Sequence, residues 1–294
     1  MCSSENIYFL NRKNNYEIHR CSDCGHGWVS SEVKDKDLTD FYASDEAKKM
    51  QYEFPEKVVR KDGKRFLKYI ETGYPQKGTL LDVGCGRGIY VEVAKEYGWK
   101  GVGFDFSSES RKSCQERQVP FYESWDALER DCGQHFADQI SLWEVLEHLR
   151  DPLEMLVGLK SFLKPDGILS LSTPNYDSSL ARQDEKNWME LRPPMHLHYF
   201  TPKSLAALLN KAGYQGVFIK TYGAWNKGIE KMGAGFQTIF NLSGQNAFLL
   251  KVASYKIGKF YFDRTLQRQR QGLGLFAVAS EPQNFSKVKF REFF

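Results

Sequence analysis

The chain has 294 residues, 41 of them lysine or arginine and 37 aspartate or glutamate, for a formal net charge of +4. This length suffices for a substantial core, and so small a net charge does not mark the chain as a nucleic-acid binder. Six irregularly spaced cysteines indicate reduced thiols and a cytoplasmic protein. No apolar run approaches the roughly 18 residues of a spanning helix, so we expect at most peripheral membrane association.

Apolar periodicity predicts three zones: a small module at 1–45, an α/β domain at 53–280 and a tail at 281–294. Predicted strands cover 79–83, 101–105, 119–122, 138–142, 168–172, 216–222 and 273–280, and predicted helices cover 88–97, 108–117, 152–163 and 202–212. This alternation is typical of a Rossmann-like, doubly wound, mostly parallel sheet of seven strands with helices on both faces. Insertions are predicted at 174–200 and 223–272, the second with helices of its own.

The segment from Leu80 to Gly88 reads LLDVGCGRG and follows the first strand of this domain. Gly84, Gly86 and Gly88 occupy the turn into a helix, where a backbone must approach a ligand closely. A glycine-rich turn alone is often only structural. The predicted strands before and after the turn, and an acidic residue at the end of the second strand, therefore decide between a structural turn and a ligand-binding turn.

That acidic residue is Asp105, whose carboxylate could accept hydrogen bonds from both hydroxyls of a ribose. Phe104 and Phe106 flank it and suit packing against adenine. Asp82 stands at the end of the preceding strand. The pattern predicts a nucleotide-like cofactor.

The G-x-G-x-G spacing, with an aspartate two residues before the first glycine, resembles class I S-adenosylmethionine-dependent methyltransferases. The resemblance covers about residues 53–280 and continues through GVGFD, LWEVLEHLRDP, LKPDGILSLSTPN and HLHYFTPKSLAALLNKAGY in the family's order. Asp166 stands where that family usually has glycine, in a turn that tolerates the change. The resemblance implies S-adenosylmethionine as methyl donor and cofactor contacts at Asp82, Gly84, Cys85, Gly86, Asp105, Phe106, Trp125, Asp126 and Leu142. For Trp125 and Asp126 the alternative is an ordinary helix start with Asp126 near the N-cap.

Glu144, Glu147 and His148 follow the fourth strand of the domain and are the candidate catalytic residues. In a helix they would share one face. They resemble the E-x-x-E-H set with which small-RNA 2′-O-methyltransferases bind magnesium or a similar ion, and ubiquinone-pathway O-methyltransferases have a similar segment. A divalent cation (Mg²⁺ or Mn²⁺) held here, with His196 or His198 as further ligand, would activate an acceptor hydroxyl. A general base at His148 and a purely structural role stay open, and His196 and His198 are also candidate acceptor-binding residues.

The amino-terminal cysteines resemble half of a zinc knuckle found in sugar methyltransferases of this type. Cys21 and Cys24 have the knuckle spacing, but only Cys2 is available near the start. His26 or His19 could complete a tetrahedral zinc site, and a site that has lost its metal would leave the same incomplete set. The stretch from Val33 to Tyr42 is a candidate lid or acceptor-binding segment.

We therefore expect O-methylation of a hydroxyl on a carbohydrate, either a cell-surface glycan or a natural-product sugar, or on another small molecule. One alternative is a metal-dependent RNA 2′-O-methyltransferase, because basic and aromatic residues mix between 248 and 270, although such a run is more often the solvated face of an amphipathic helix. A second alternative is a catalytically silent S-adenosylmethionine-binding partner protein. Nucleic acid is not the expected partner.

Overall fold

The computed structural model describes residue 2 and residues 4–44, 55–223 and 271–280. Most of the second predicted insertion, including the basic and aromatic run, and the tail at 281–294 lie outside these residues. None of the described helices has the length and apolar character needed to span a bilayer.

The described elements alternate along the chain much as the periodicity predicts. In order they are β1 (Ile7–Lys13), β2 (Tyr16–Cys21), β3 (Gly27–Val29), α1 (Asp35–Ala43), α2 (Glu56–Gly73), β4 (Thr79–Val83), α3 (Ile89–Glu96), β5 (Lys100–Phe104), α4 (Ser108–Glu116), β6 (Phe121–Tyr122), α5 (Trp125–Cys132), β7 (Ala137–Trp143), α6 (Pro152–Gly158), β8 (Leu163–Pro174), α7 (Ser179–Gln183), β9 (His198–Tyr199), α8 (Pro202–Lys211), β10 (Phe218–Tyr222) and β11 (Gly274–Ser280). Single 3₁₀ turns lie at Leu146–His148 and Leu159–Ser161.

The main sheet has seven strands in the order β10-β11-β8-β7-β4-β5-β6. Its pairs are parallel except those of β11, which runs antiparallel to both β8 and β10. The predicted Rossmann-like, mostly parallel sheet is confirmed. Chain order reverses between β4 and β7, and in open α/β sheets a ligand binds at such a reversal, beyond the carboxyl ends of the strands.

Successive residues of the central strand β4 pack in hydrophobic clusters on opposite faces of the sheet, because side chains alternate across a strand. Leu80 packs with residues of α2 and α3, such as Phe66 and Tyr90. Leu81 packs in a larger cluster that includes Leu128 of α5. Each fully buried side chain of this kind contributes about 1.5–3 kcal/mol. Helices therefore cover the two faces of the sheet and hold its carboxyl edge in place.

Two local predictions are wrong. The helix predicted over 152–163 ends at Gly158 and gives way to a 3₁₀ turn. The stretch 164–167, expected as a turn, belongs to β8, where the pairing with β7 shifts register. The irregularity keeps Lys164 in contact with the Asp138 carboxylate at 2.8 Å.

The amino-terminal segment, for which the sequence predicts only a small module, forms an antiparallel sheet. The sheet has the order β1-β2-β3-β9, so its fourth strand comes from the segment after β8. Asn14 and Asn15 join β1 to β2 with φ values of 49° and 67°, the left-handed pair typical of a two-residue hairpin turn. Leu10 and Ile18 pack in one cluster with residues of the 174–200 segment. The amino-terminal strands and that insertion thus share one small core.

Candidate functional site

The turn after β4 requires its glycines for different reasons. Gly84, Gly86 and Gly88 have φ values of 72°, 50° and 70°, in the left-handed region that side chains disfavour. A Cβ at Gly84 would lie 2.5 Å from a methyl carbon of Val145, and one at Gly88 would lie 2.8 Å from the sulfur of Cys114. A Cβ at Gly86 would meet nothing within 4 Å. Gly84 and Gly88 are needed for packing, whereas Gly86 borders open space that a ligand can occupy.

The Asp105 carboxylate is fixed against this turn. Its Oδ2 accepts a hydrogen bond from the Gly86 N–H and its Oδ1 accepts one from the Ser107 N–H, both at 2.9 Å. A carboxylate has about four acceptor positions, so two remain for hydroxyl donors. The residue is partly exposed. Asp105 can therefore bind a diol beside Gly86.

Asp82 lies beneath the turn. It is 2% exposed and accepts a hydrogen bond from the Ser141 hydroxyl at 2.6 Å, which joins β4 to β7. Burial raises the pKa of Asp82 to about 7, against the opposing effect of that hydrogen bond. The side chain therefore supports the turn from below.

Aromatic side chains form one wall beside Asp105. The rings of Phe104 and Trp125 stack with centroids 3.7 Å apart, and Phe106 meets Phe104 edge-on at 5.1 Å. Phe106 is 69% exposed and is the ring most open to a ligand. Trp125 begins α5, whose N-cap is Ser124 with its hydroxyl accepting the Ala127 N–H. Asp126 lies in the first turn near the N-cap, as in the alternative interpretation of an ordinary helix start.

Two predicted cofactor contacts are buried. Leu142 has no exposed surface and its side chain packs in the core, so only its main chain remains as a proposed contact. Cys85 is 8% exposed, and its sulfur lies 3.9 Å from that of Cys114. Its side chain packs under the turn and leaves only its main chain near the open space.

The segment after β7 is not the continuous helix that would place its acidic residues on one face. Glu144 has a φ of 54°, and the 3₁₀ turn begins only at Leu146. The Glu144 carboxylate accepts hydrogen bonds from the hydroxyls of Ser172 at 2.6 Å and Tyr222 at 3.2 Å. The backbone reversal therefore separates Glu144 from the other two predicted ligands.

Glu147, His148 and His196 form what we call the Glu-His-His cluster, in which one ligand atom of each residue lies within 4.8 Å of the others. The Nδ1–H of His148 donates to the Met195 carbonyl and that of His196 donates to the Glu190 carbonyl, both at 2.9 Å. Each ring therefore keeps its Nε2 lone pair. Glu147 Oε2 accepts from the Thr173 hydroxyl at 2.9 Å, but its buried Oε1 has no hydrogen-bond partner. The cluster offers three free ligand atoms.

Burial sets the charge state of this cluster. It raises the pKa of Glu147 to about 8 and lowers that of His148. Burial, followed by the nearby His148, lowers the pKa of His196 to about 3. Both imidazoles are thus neutral at pH 7, the form that binds metal ions. The chemistry of two imidazoles and a carboxylate fits a divalent cation, and it suits Mn²⁺ better than Mg²⁺, which prefers oxygen ligands.

His198 lies apart from the cluster. Its Nδ1 is 3.2 Å from the Nε2 of His26, and its Nε2 contacts the Arg150 carbonyl at 3.3 Å. This chain of contacts links the small amino-terminal sheet to the loop after the 3₁₀ turn at Leu146–His148. Of the two predicted further ligands, only His196 reaches Glu147 and His148.

The predicted thiols do come together. One sulfur from each of Cys2, Cys21 and Cys24 lies within 4.8 Å of the others, with Cys2 and Cys21 at 3.6 Å. Although burial opposes it, main-chain N–H groups lower the pKa of Cys21 to about 7, whereas burial raises that of Cys24 to about 12.

Neither candidate histidine joins these thiols among the residues that the structure describes. His26 contacts His198, and the Nδ1 of His19 lies 2.6 Å from the Ser30 hydroxyl. The described set is therefore three sulfurs, one ligand short of a closed tetrahedral zinc site.

Sequence reasoning missed two residues near the Glu-His-His cluster. Thr173 orients Glu147, and its place at the end of β8 was a usable signal, since side chains at carboxyl strand ends face the ligand crevice. Arg150 donates to the Val33 carbonyl and to Asp35, which brings α1 to the site. Nothing in the sequence connects positions so far apart.

The comparisons with known proteins agree with this geometry. Residues 47–218 match a family model described as a methyltransferase domain. The chain is 36% identical over 107 residues to a ubiquinone biosynthesis O-methyltransferase of Actinobacillus pleuropneumoniae serotype 7 (strain AP76), covering 33% of this chain and 45% of that protein. It is also 36% identical over 117 residues to a ubiquinone biosynthesis O-methyltransferase of Coxiella burnetii (strain Dugway 5J108-111), covering 37% of this chain and 49% of that protein.

The chain thus spans about half the length of the curated relatives it matches. Among solved structures, a SAM dependent methyltransferase from Archaeoglobus fulgidus superposes with a TM-score of 0.53 at 20% identity, over 79% of this chain and 97% of that one. The likeness in structure supports the fold, and the family model covers more than half of the chain. The chain therefore belongs to the class I S-adenosylmethionine-dependent methyltransferases.

Proposed function

We propose that this chain transfers the methyl group of S-adenosylmethionine to a hydroxyl oxygen of a small-molecule acceptor and releases S-adenosylhomocysteine. The observation that carries the proposal is the buried, unpartnered Oε1 of Glu147 beside two neutral imidazoles. A buried carboxyl oxygen without a hydrogen-bond partner is costly, and the raised pKa of Glu147 reflects that cost. A bound cation would displace the proton and satisfy the oxygen. Val145, two residues before Glu147, lies 2.5 Å from the position that a Cβ at Gly84 would take, which supports a cluster close to the glycine turn.

The cofactor would occupy the space beside Gly86. The two ribose hydroxyls would donate to the free acceptor positions of Asp105, and the adenine would pack on the exposed ring of Phe106. The partly buried Trp125 and the exposed Asp126 border the same wall and are proposed neighbours of the adenine. Asp82 and Cys85 hold the turn from beneath.

In the reaction, the acceptor oxygen attacks the methyl carbon, the carbon–sulfur bond breaks, and the sulfonium becomes a neutral thioether. The hydroxyl proton leaves to a base. Most of the rate enhancement would come from holding oxygen, carbon and sulfur in line. Glu147, His148 and His196 would hold the divalent cation, which when bound lowers the pKa of an acceptor hydroxyl. Without a cation, the free Nε2 of His148 is the remaining candidate base.

For the acceptor we propose a carbohydrate hydroxyl. The support is the thiol cluster of Cys2, Cys21 and Cys24, which resembles half of the zinc knuckle found in sugar methyltransferases. A phenolic hydroxyl is the second candidate, and the names of the curated relatives favour it. Both candidates need the same activation of a hydroxyl oxygen.

The test uses methyl-labelled S-adenosylmethionine with Mn²⁺ and three acceptors: UDP-glucose, methyl α-D-glucopyranoside and catechol. We expect label transfer to at least one acceptor, and no transfer to any would contradict the proposal. Glu147→Gln should weaken Mn²⁺ binding by about tenfold or more, in the range seen when metal-site support is removed.

Glu144→Gln is the matched control, because it changes the same residue type in the same segment outside the cluster. Its amide oxygen can still accept from Ser172 and Tyr222. It should leave the Mn²⁺ dissociation constant within about twofold, a change well below the cost of losing a ligand. Equal losses in the two variants would reject the cluster as the cation site.

A further inference from the structure

Helix α1 brings a tyrosine from the amino-terminal segment to the candidate site. The Tyr42 hydroxyl lies 3.5 Å from the Nδ1 of His148. Tyr42 therefore lies beside one member of the Glu-His-His cluster.

The position of α1 is fixed by Arg150, two residues beyond His148. Its guanidinium donates to the Val33 carbonyl and, at 2.8 Å, to the Asp35 carboxylate. The Lys34 N–H donates to Asp37 at 2.9 Å and so closes the first turn of the helix. One arginine thus ties the start of α1 to the segment that carries two members of the cluster.

The Tyr42 hydroxyl is free to serve a ligand. His148 Nδ1 already donates its hydrogen to the Met195 carbonyl at 2.9 Å, so it has no lone pair for a second donor. At 3.5 Å the contact with Tyr42 is at the limit of a hydrogen bond. The residue is 50% exposed, so a ligand can reach its side chain.

The hydroxyl also keeps its proton. A phenol is ordinarily protonated at neutral pH. At neutral pH the side chain is a neutral hydrogen-bond donor with a flat apolar ring, a combination that suits sugars and phenols alike.

We propose that Tyr42 is an acceptor-binding residue whose hydroxyl donates a hydrogen bond to an acceptor oxygen beside the one that is methylated. This inference rests on the proposed methyl transfer. It makes the amino-terminal segment part of the active site, because Arg150 joins the start of α1 to the segment that carries Glu147 and His148. It also favours acceptors with a second oxygen close to the reacting hydroxyl, as in vicinal diols.

The test compares Tyr42→Phe with Tyr8→Phe, using whichever of UDP-glucose, methyl α-D-glucopyranoside and catechol the unaltered protein methylates fastest. Tyr8 is 41% exposed and lies on β1, the edge strand of the amino-terminal sheet, so it controls for loss of an exposed phenol. Tyr42→Phe should raise the acceptor KM about tenfold, the loss expected for one hydrogen bond, with a smaller change in kcat. In Tyr42→Phe the dissociation constants for S-adenosylhomocysteine and Mn²⁺ should stay within about twofold of those of the unaltered protein. Tyr8→Phe should resemble the unaltered protein in every measurement.

An unchanged acceptor KM in Tyr42→Phe would overturn the role of Tyr42 alone. So would a rise in the S-adenosylhomocysteine dissociation constant as large as the rise in KM, because it would assign Tyr42 to the cofactor. Absence of turnover by the unaltered protein with all three acceptors would overturn the proposed function, and the role of Tyr42 with it.

Discussion

Replacing Gly86 by alanine separates ligand binding from folding at the glycine turn. The residue has a φ of 50°, a conformation that costs an alanine about 1–2 kcal/mol. The added Cβ meets no protein atom within 4 Å, so no clash adds to that cost. The methyl group instead enters the space proposed for the cofactor, beside the N–H that donates to Asp105. Overpacking a close contact costs about 1–3 kcal/mol, which is about 5- to 150-fold in the dissociation constant.

Gly98→Ala supplies the matched control. Gly98 follows α3 with a φ of 88°, and its added Cβ would make only an ordinary contact, 3.7 Å from the Lys77 side chain. Urea denaturation should show a similar loss of stability in both variants, and calorimetry with S-adenosylhomocysteine should show weakened binding in Gly86→Ala alone. Binding at the unaltered strength in Gly86→Ala, or equal weakening in both, would refute the reasoning.

Three further variants test the neighbourhood of the turn. The raised pKa of Asp82 means that the folded state favours the protonated acid, so this contribution to stability is complete below about pH 4 and is lost as pH rises towards 7. Asp82→Asn cannot titrate and so lacks this loss. Between pH 4.5 and 7.5, its free energy of unfolding minus that of the unaltered protein should therefore rise by about 3 kcal/mol in urea titrations. A difference that does not change with pH would contradict the raised pKa of Asp82. Phe106→Ala should weaken S-adenosylhomocysteine binding about tenfold in calorimetry without lowering the melting temperature, because the ring is 69% exposed; unaltered binding would remove it from the adenine site. Gly84→Ala should lower the melting temperature through the clash with Val145, and Val145→Ala in the same chain should restore part of it; no restoration would point to backbone strain alone.

The sequence predicts the main sheet because short strand-like runs alternate with helical stripes along the chain. It does not predict the amino-terminal sheet, whose β1 is half exposed and whose last strand, β9, comes from far along the chain. Only the Asn14-Asn15 turn was a local signal for the hairpin. Pairing between distant short strands depends on the shared core around Leu10 and Ile18, which no local pattern reveals.

The candidate site likewise contains residues that the sequence predicts and residues that it does not. Gly86 and Asp105 were predictable because the turn and the strand end next to it fix both positions. The helical arrangement of Glu144 and Glu147 was wrong because the φ of 54° at Glu144 turns the chain before the 3₁₀ turn begins. The approach of Tyr42 to His148 depends on contacts across more than a hundred residues.

The most direct test of the central claim is the initial rate of label transfer from S-adenosylmethionine, measured first with a chelator and then during titration with Mn²⁺. We expect transfer to fall by about a hundredfold or more in chelator and to return as one Mn²⁺ per chain binds at Glu147, His148 and His196. Transfer at full rate in excess chelator would contradict cation-assisted chemistry at this cluster.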